Sequence, residues 1–452
     1  ENVVNLLDPV EVQRDENFLT TDDMLEKLAE GCEDVDLYYI GYASRPYDLA
    51  LEFAQRVGKP MAITQACCAS PITSAEFLSR GLEFYSFEEW VDATNYMTIL
   101  RARKALHEAK CLCAVRATSS VSVSAPDSII DPETATAKFG IRWRFISAHE
   151  LLDQISYDDP MSNYNTPGRK GLNFTEEDAA AIEKATREFI DNAQVNYMKE
   201  EYVKKSIEAW YGINKFLEAT ECNCFTAPCP DLCATRRLNE KQFTMCLNHS
   251  LNNEAGIPSA CEYDLGAIIS KVILQEIGRR PTYMGNCFTV PVRNGKRSQL
   301  PKALFFTPEE VDEKMELLGT DGDVVLTFHS VANRRWESYD EPLRPYNIRE
   351  FARSGWGATV RYDYAQDAGQ VITMCRIDPT CSKLFVAKGE IVASMGYEST
   401  NCSNGVFFKV KDSKDFFQKQ AAIGNHMPLI YGDFEEQVIE LGKLLGLEVI
   451  VA

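Results

Sequence analysis

Residues 256–286 read GIPSACEYDLGAIISKVILQEIGRRPTYMGN, and the order of turn, acidic pair, helix and stop organises the rest of the chain. Gly256-Ile257-Pro258 forms the turn. Leu265, Ile268, Ile269, Val272, Ile273 and Ile277 then recur at helical spacing, which predicts an amphipathic helix ending near Gly278. Glu262 and Asp264 fall at the first turn of that helix, where its dipole favours negative charge. Pro281 stops it, and the chain emerges at Met284-Gly285-Asn286. Read alone, Glu262 is a helix-start carboxylate facing solvent.

Toward the N-terminus, strand and helix signals alternate. DVDLYYIGYAS, KPMAITQACC and KCLCAVRAT read as strands, with YDLALEFAQRVG, TSAEFLSRGL and TNYMTILRARKALHEA as the helices between them. Such alternation predicts parallel, doubly wound sheets. A second α/β unit begins at Cys111. Its loop TSSVSVSAPDSIIDP follows a strand, at the edge where such sheets bind ligands. KFGIRWRFISAHELLDQI continues it as strand and helix, with His149 as a structural residue at the helix start. Residues 175–219 then read as a long charged helix with a break. No GxGxxG is present, so nothing points to a nicotinamide cofactor.

Past Asn286 the pattern changes. LFFTPEEVDEKMELLG is a helix and DVVLTFHSVANRR a strand running into a loop. GATVRYDY, QVITMCRID, KLFVAKGEIVAS and GVFFKVK are then short, β-branched or aromatic strands. Consecutive strands of this kind predict an antiparallel barrel or sandwich. The chain closes with a loop carrying His426, an amphipathic helix and a final strand. The expected fold class is therefore α/β, with two doubly wound parallel-sheet domains, 1–110 and 111–278, and a β-rich domain over 279–452. Since ENVVNLLDP reads as an extended segment already under way, the first domain is expected to lack its first strand and helix.

Composition narrows the function. The 452 residues carry a net charge of −20 with no basic stripe, which argues against nucleic acid as a partner. No apolar run approaches the roughly 20 residues of a membrane span, and no signal-peptide pattern is read at the start. Fifteen cysteines, an odd number set mostly in apolar or strand-like contexts, predict a reducing, cytoplasmic setting. Cys222, Cys224, Cys229 and Cys233 lack the paired CxxC spacing of zinc knuckles, so a strand end and loop without zinc is expected there. Arg236 and Arg237 follow, either as a solvated pair or as a contact for an anionic substrate group. His249 reads as a cap near the end of a short helix.

The Cys261-Glu262-x-Asp264 turn opening a helix, followed by a stop and a site near 286, resembles the metal-binding segment of the L-fucose isomerase and L-arabinose isomerase superfamily. The resemblance covers most of the chain and is strongest from about Cys222 onward. It implies that Glu262 and Asn286 are metal ligands, with Asn286 standing where the family has an acidic residue. His426, in the closing Gly-x-His before Gly-Asp, is similar to the family's last ligand, and His329, ending VVLTFH, to an additional one. The implied cofactor is Mn²⁺ or Mg²⁺, and the implied activity is aldose–ketose isomerisation of an open-chain monosaccharide through an enediolate. Glu262 would be a catalytic base. Asn286 cannot take up a proton, and Asp264 is a substitute pointing from another helix face. Arg236, Trp336 and Trp356 are the expected substrate contacts. Specificity is expected from loops 116–126 and 225–237, and trimers or hexamers are implied. Epimerisation or elimination on the same scaffold, or sugar binding without catalysis, remain open alternatives.

Overall fold

The structure is a computed structural model, and it describes residues 5–10, 20–41, 47–65, 69–115, 125–148, 151–152, 172, 174–229, 232, 241–298, 300 and 306–452. The chain divides into two compact units, Glu1–Leu100 and Arg101–Ala452. In the first, β1 (Tyr38–Tyr39), β2 (Met61–Thr64) and β3 (Phe84–Phe87) pair in parallel and in chain order. Parallel neighbours need crossovers, and helices Tyr47–Val57 and Ala69–Ser79 supply them. Leu25, Phe53, Met61, Ile63, Phe77 and Phe84 pack together as the core of this unit.

The second unit holds two further architectures. Strands β4 (Lys110–Val115) and β5 (Arg142–Ser147) belong to a four-stranded parallel sheet, while β6 (Val195–Asn196) pairs elsewhere. The parallel sheet is completed by β7 (Cys224–Ala227) and β8 (Ser259–Cys261), in the order β5-β4-β7-β8. The chain runs first to one side of β4 and then to the other, as in a doubly wound sheet. The break expected in the long charged segment is real: helices Glu176–Asp191 and Glu200–Ala219 flank β6. Thr175 begins the first of them with a reciprocal capping box to Asp178.

From β9 (Tyr283–Val290) onward the strands are mostly antiparallel. After the short hairpin of β10 (Val292–Arg293) and β11 (Lys296–Arg297) comes β12 (Asp323–His329), then β13 (Asn347–Glu350) and β14 (Ala358–Arg361), which form a small sheet with β6. The last five strands are β15 (Val371–Ile377), β16 (Lys383–Met395), β17 (Asn404–Val410), β18 (His426–Tyr431) and β19 (Glu448–Val451). They join β9 and β12 in the order β15-β18-β9-β12-β17-β16-β19, and β15 also pairs with β16. That extra pairing closes six strands on themselves, so the sheet is barrel-like.

Two expectations change. The helix Leu265–Gly278 is buried on nearly every side, including Lys271 and Gln275, and not along one stripe. The parallel sheet packs against the helix on one side and β15 and β18 on another, so no face is left for water. His426, read as a loop residue, is a strand residue of β18, paired directly with Asn286 of β9. Pro428 inside β18 and Gly285 inside β9 hid both strands from a propensity reading. Gly285 is required there, because a Cβ would sit 2.8 Å from the Phe328 backbone of β12.

Candidate functional site

The site forms where the carboxyl end of β8 meets the ends of β12 and β18. β8 finishes at Cys261, and the next two residues, Glu262 and Tyr263, both take the left-handed conformation, at φ 66° and 58°. For residues with a Cβ this costs about 1–3 kcal/mol each and persists only where surroundings enforce it. The enforcement is visible. The Tyr263 amide donates to the Ala227 carbonyl at 3.0 Å, and the Asp264 amide to that of Cys261 at 3.3 Å. Ser128 Oγ donates to the Tyr263 carbonyl at 3.2 Å and accepts from the Leu265 amide at 2.9 Å. The turn then passes into the buried helix, which Asp264 caps by accepting from the Ala267 amide at 2.9 Å.

Held in this way, Glu262 meets two imidazoles. Its Oε1 lies 3.3 Å from His329 Nε2, at the end of β12, and its Oε2 lies 3.5 Å from His426 Nε2, at the start of β18. The two rings are 5.7 Å apart. The His329 side chain is fully buried, that of His426 is 3% exposed and that of Glu262 13% exposed, so the carboxylate is the one group of the three with an edge toward solvent. Burial pushes the Glu262 carboxyl up, but the His329 hydrogen bond and the His426 charge outweigh it, and its pKa falls below the ordinary carboxylate value. Glu262 is therefore ionised at neutral pH.

His426 is oriented from behind. Its Nδ1 is 3.0 Å from Asp264 Oδ2, which leaves Nε2 turned to Glu262. Asp264 is fully buried, and the same Oδ2 accepts from Arg376 Nη1 at 2.8 Å. Arg376 Nη1 also donates to the His426 carbonyl at 2.7 Å, and its Nη2 to the Asp127 carbonyl at 3.0 Å. Burial pushes the Asp264 carboxyl up, but Arg376 and His426 overcome it and hold it far below the usual range. Burial pushes His426 down, while the Asp264 hydrogen bond and the Glu262 charge carry it above its usual value. Gly424 makes this possible: at φ 151° it passes so close to Arg376 that a Cβ would lie 2.4 Å from Nε.

The other expected residues fall elsewhere. Asn286 sits opposite His426 in the strand register, but its amide oxygen accepts from Asn425 Nδ2 at 2.6 Å. Asp264, expected as a second base, has both oxygens occupied and acts on His426, not on a substrate. Trp336 is fully buried among Tyr283, Tyr362, Tyr364 and Tyr431, stacked on the last at 4.7 Å, so no ring face is left for a sugar. Trp356 is buried as well. Arg236, Arg237, Cys233, His149 and most of the two loops expected to set specificity lie outside the described residues. Arg376 was missed by sequence reasoning, although a lone Arg within the strand QVITMCRI was a signal.

Each Glu262–imidazole pair by itself suits a divalent ion, while the described group around Glu262 whose ligand atoms all lie within 4.8 Å of one another is Cys261, Glu262 and His329, without His426. An ion about 2.1 Å from both a carboxylate oxygen and an imidazole nitrogen holds them about 3.0–3.4 Å apart at right or tetrahedral angles. The observed separations are 3.3 and 3.5 Å. An imidazole pinned at its far nitrogen by a carboxylate is also the usual support of a metal-ligating His. One carboxylate with two imidazoles favours Mn²⁺ over Mg²⁺, which prefers oxygen throughout. Cys261 Sγ lies within 4.8 Å of the facing Glu262 and His329 atoms. No protein-family model matches the chain, and no curated protein matches it either. Among the described residues no helix is long and apolar enough to cross a membrane.

Proposed function

We propose that the protein is a metal-dependent isomerase of an open-chain monosaccharide, moving a proton between C2 and C1. The observation that supports this best is Glu262, an ionised carboxylate fixed on a left-handed turn with one oxygen toward each of two buried imidazoles. Such a constellation matches a site for acid–base work beside a metal. The resemblance of residues 261–286 and of His426 to the sugar isomerase superfamily supports the same reading. Glu262, His329 and His426 would hold Mn²⁺, which supplies Lewis-acid polarisation of the substrate carbonyl.

The chain's own residues do the rest. Glu262 takes the proton from C2 of the aldose and returns it to C1, while the O2 hydroxyl proton passes to O1, which gives the ketose with no net loss of atoms. A single carboxylate on one face of the enediol can carry out both transfers, so Asn286 need not act as a base. Asp264 and Arg376 keep His426 turned toward Glu262. The Ala227 and Ser128 contacts that enforce the strained Glu262–Tyr263 turn keep the carboxylate aimed at its partners.

The test is incubation of Mn²⁺-loaded protein with a panel of neutral and anionic aldoses in deuterated water. Isomerisation yields ketose, with deuterium at C1 to the extent that the Glu262 proton exchanges. A C2 epimer without ketose would mean epimerisation, and a dehydrated product would mean elimination. Bound Mn²⁺ with neither product nor deuterium on any sugar would overturn the catalytic reading and leave a binding protein. The trimer or hexamer implied by the resemblance is a further proposal, which solution scattering would check.

A further inference from the structure

A second group of ligating side chains stands beside the turn that carries Glu262. Cys229 lies two residues beyond β7, and Cys261 ends the neighbouring strand β8. His249 comes from the helix Cys246–Glu254, where it is fully buried in mid-helix and does not serve as a cap. One donor atom from each of the three falls within 4.8 Å of the others. Cys229 Sγ and His249 Nε2 are 3.5 Å apart, and His249 Nδ1 is 2.8 Å from Ser259 Oγ. Of the described cysteines in that segment, Cys224 faces Cys111 at the opposite end of β7 from Cys229. Cys229 finds its partners across the sheet end instead.

The geometry matches a soft ion. A tetrahedral centre with bonds of about 2.3 Å to sulfur and about 2.0–2.1 Å to nitrogen separates the two by about 3.6 Å. Two thiols and an imidazole are soft and borderline donors, suited to zinc and not to the ion preferred by carboxylate-rich sites. The far ring nitrogen of His249 is fixed by a hydroxyl, which sets the tautomer that presents Nε2. Cys261 directly precedes the strained turn, and Cys229 follows by two residues the Ala227 carbonyl that accepts from the Tyr263 amide, so an ion held by both would brace the turn from two strands.

We propose that Cys229, His249 and Cys261 form a separate site for one zinc-class divalent ion, which fastens the Glu262–Tyr263 turn in its left-handed conformation. Three protein donors leave one coordination position for water or a neighbouring group. The occupancy of this site does not depend on the isomerase reading. Its effect on Glu262 does rest on that reading.

The probe is Co²⁺, added to the full chain after chelation under reducing conditions. One equivalent should give the thiolate-to-cobalt charge-transfer band and the intense visible bands of a tetrahedral centre. Both should be lost in Cys229→Ser and in His249→Gln, and kept in Glu262→Gln. Zn²⁺ should displace the cobalt and bleach the spectrum. Absence of a thiolate band in the unaltered protein would overturn the proposal without recourse to any variant. So would a band that survives Cys229→Ser but vanishes in Glu262→Gln, since the ion would then sit on Cys261, Glu262 and His329. Failure of sugar turnover with the cobalt spectrum intact would count against the isomerase reading alone.

Discussion

Asp264→Asn isolates what a buried carboxylate contributes behind the site. The substitution keeps shape, and its Oδ1 can still accept from the Ala267 amide, so the helix cap survives. What disappears is the charge opposite Arg376, a pair 2.8 Å apart with both side chains fully buried. Breaking such a pair from one side costs about 3–5 kcal/mol, because the remaining charge is left uncompensated. Asp127 stays 3.3 Å from Arg376 but is 27% exposed, and two backbone carbonyls still accept from the guanidinium. The expected loss is therefore at the low end, about 3 kcal/mol. Asp264→Ala should lose about 1 kcal/mol more, the value of the cap. The pH dependence follows from sign. The folded pKa of Asp264 lies far below its unfolded value, so its contribution is whole above the unfolded pKa of about 3.9 and fades as pH falls toward the folded value. The gap between protein and variant should hold from neutral pH to about 4 and close below it. Urea unfolding followed by tryptophan fluorescence measures it, since Trp143, Trp210, Trp336 and Trp356 lie in the second unit and only Trp90 in the first. A loss below about 1 kcal/mol at neutral pH would refute the reasoning. So would a double variant Asp264→Asn/Arg376→Met no more stable than Asp264→Asn alone, because removing the second charge should relieve the first.

Burial pushes Lys271 down to about 7. The unfolded chain therefore binds the extra proton between pH 7 and about 10.5, and stability should rise with pH across that window by up to about 1.4 kcal/mol per unit. Lys271→Met should flatten the rise and be the more stable form at neutral pH, as calorimetric melting would show. Glu262→Gln should remove most Mn²⁺ affinity and also lower the melting temperature in chelator, since the two imidazoles stabilise the ionised carboxylate in the folded chain. Asn286→Asp places a carboxylate opposite His426 while still accepting from Asn425, so tighter Mn²⁺ binding by titration calorimetry is expected; unchanged affinity would mean that the side chain faces away from the ion. Gly424→Ala should destabilise the second unit and weaken Mn²⁺ binding together, because its Cβ would displace Arg376.

The sequence by itself determined most of the elements. Periodicity placed the helix Leu265–Gly278 and its stop, and the alternation before Asn286 and the run of strands after it separated parallel from antiparallel sheet. Those signals are local, since the spacing of apolar residues follows from the geometry of one element. The sequence also singled out Glu262, His329 and His426, which the fold brings to one carboxylate. Tertiary structure alone decided the rest. That β9 and β18 are strands depends on each other's hydrogen bonds, which Pro428 and Gly285 argue against locally. That Trp336 is core and not a sugar platform depends on four tyrosines from distant segments closing around it. The left-handed pair Glu262–Tyr263 is enforced by Ala227 and Ser128, and nothing in Glu-Tyr itself favours it. Cys229, His249 and Cys261 looked unrelated in the chain because a metal site is a matter of distance between side chains, and only the pairing of β7 with β8 makes that distance short.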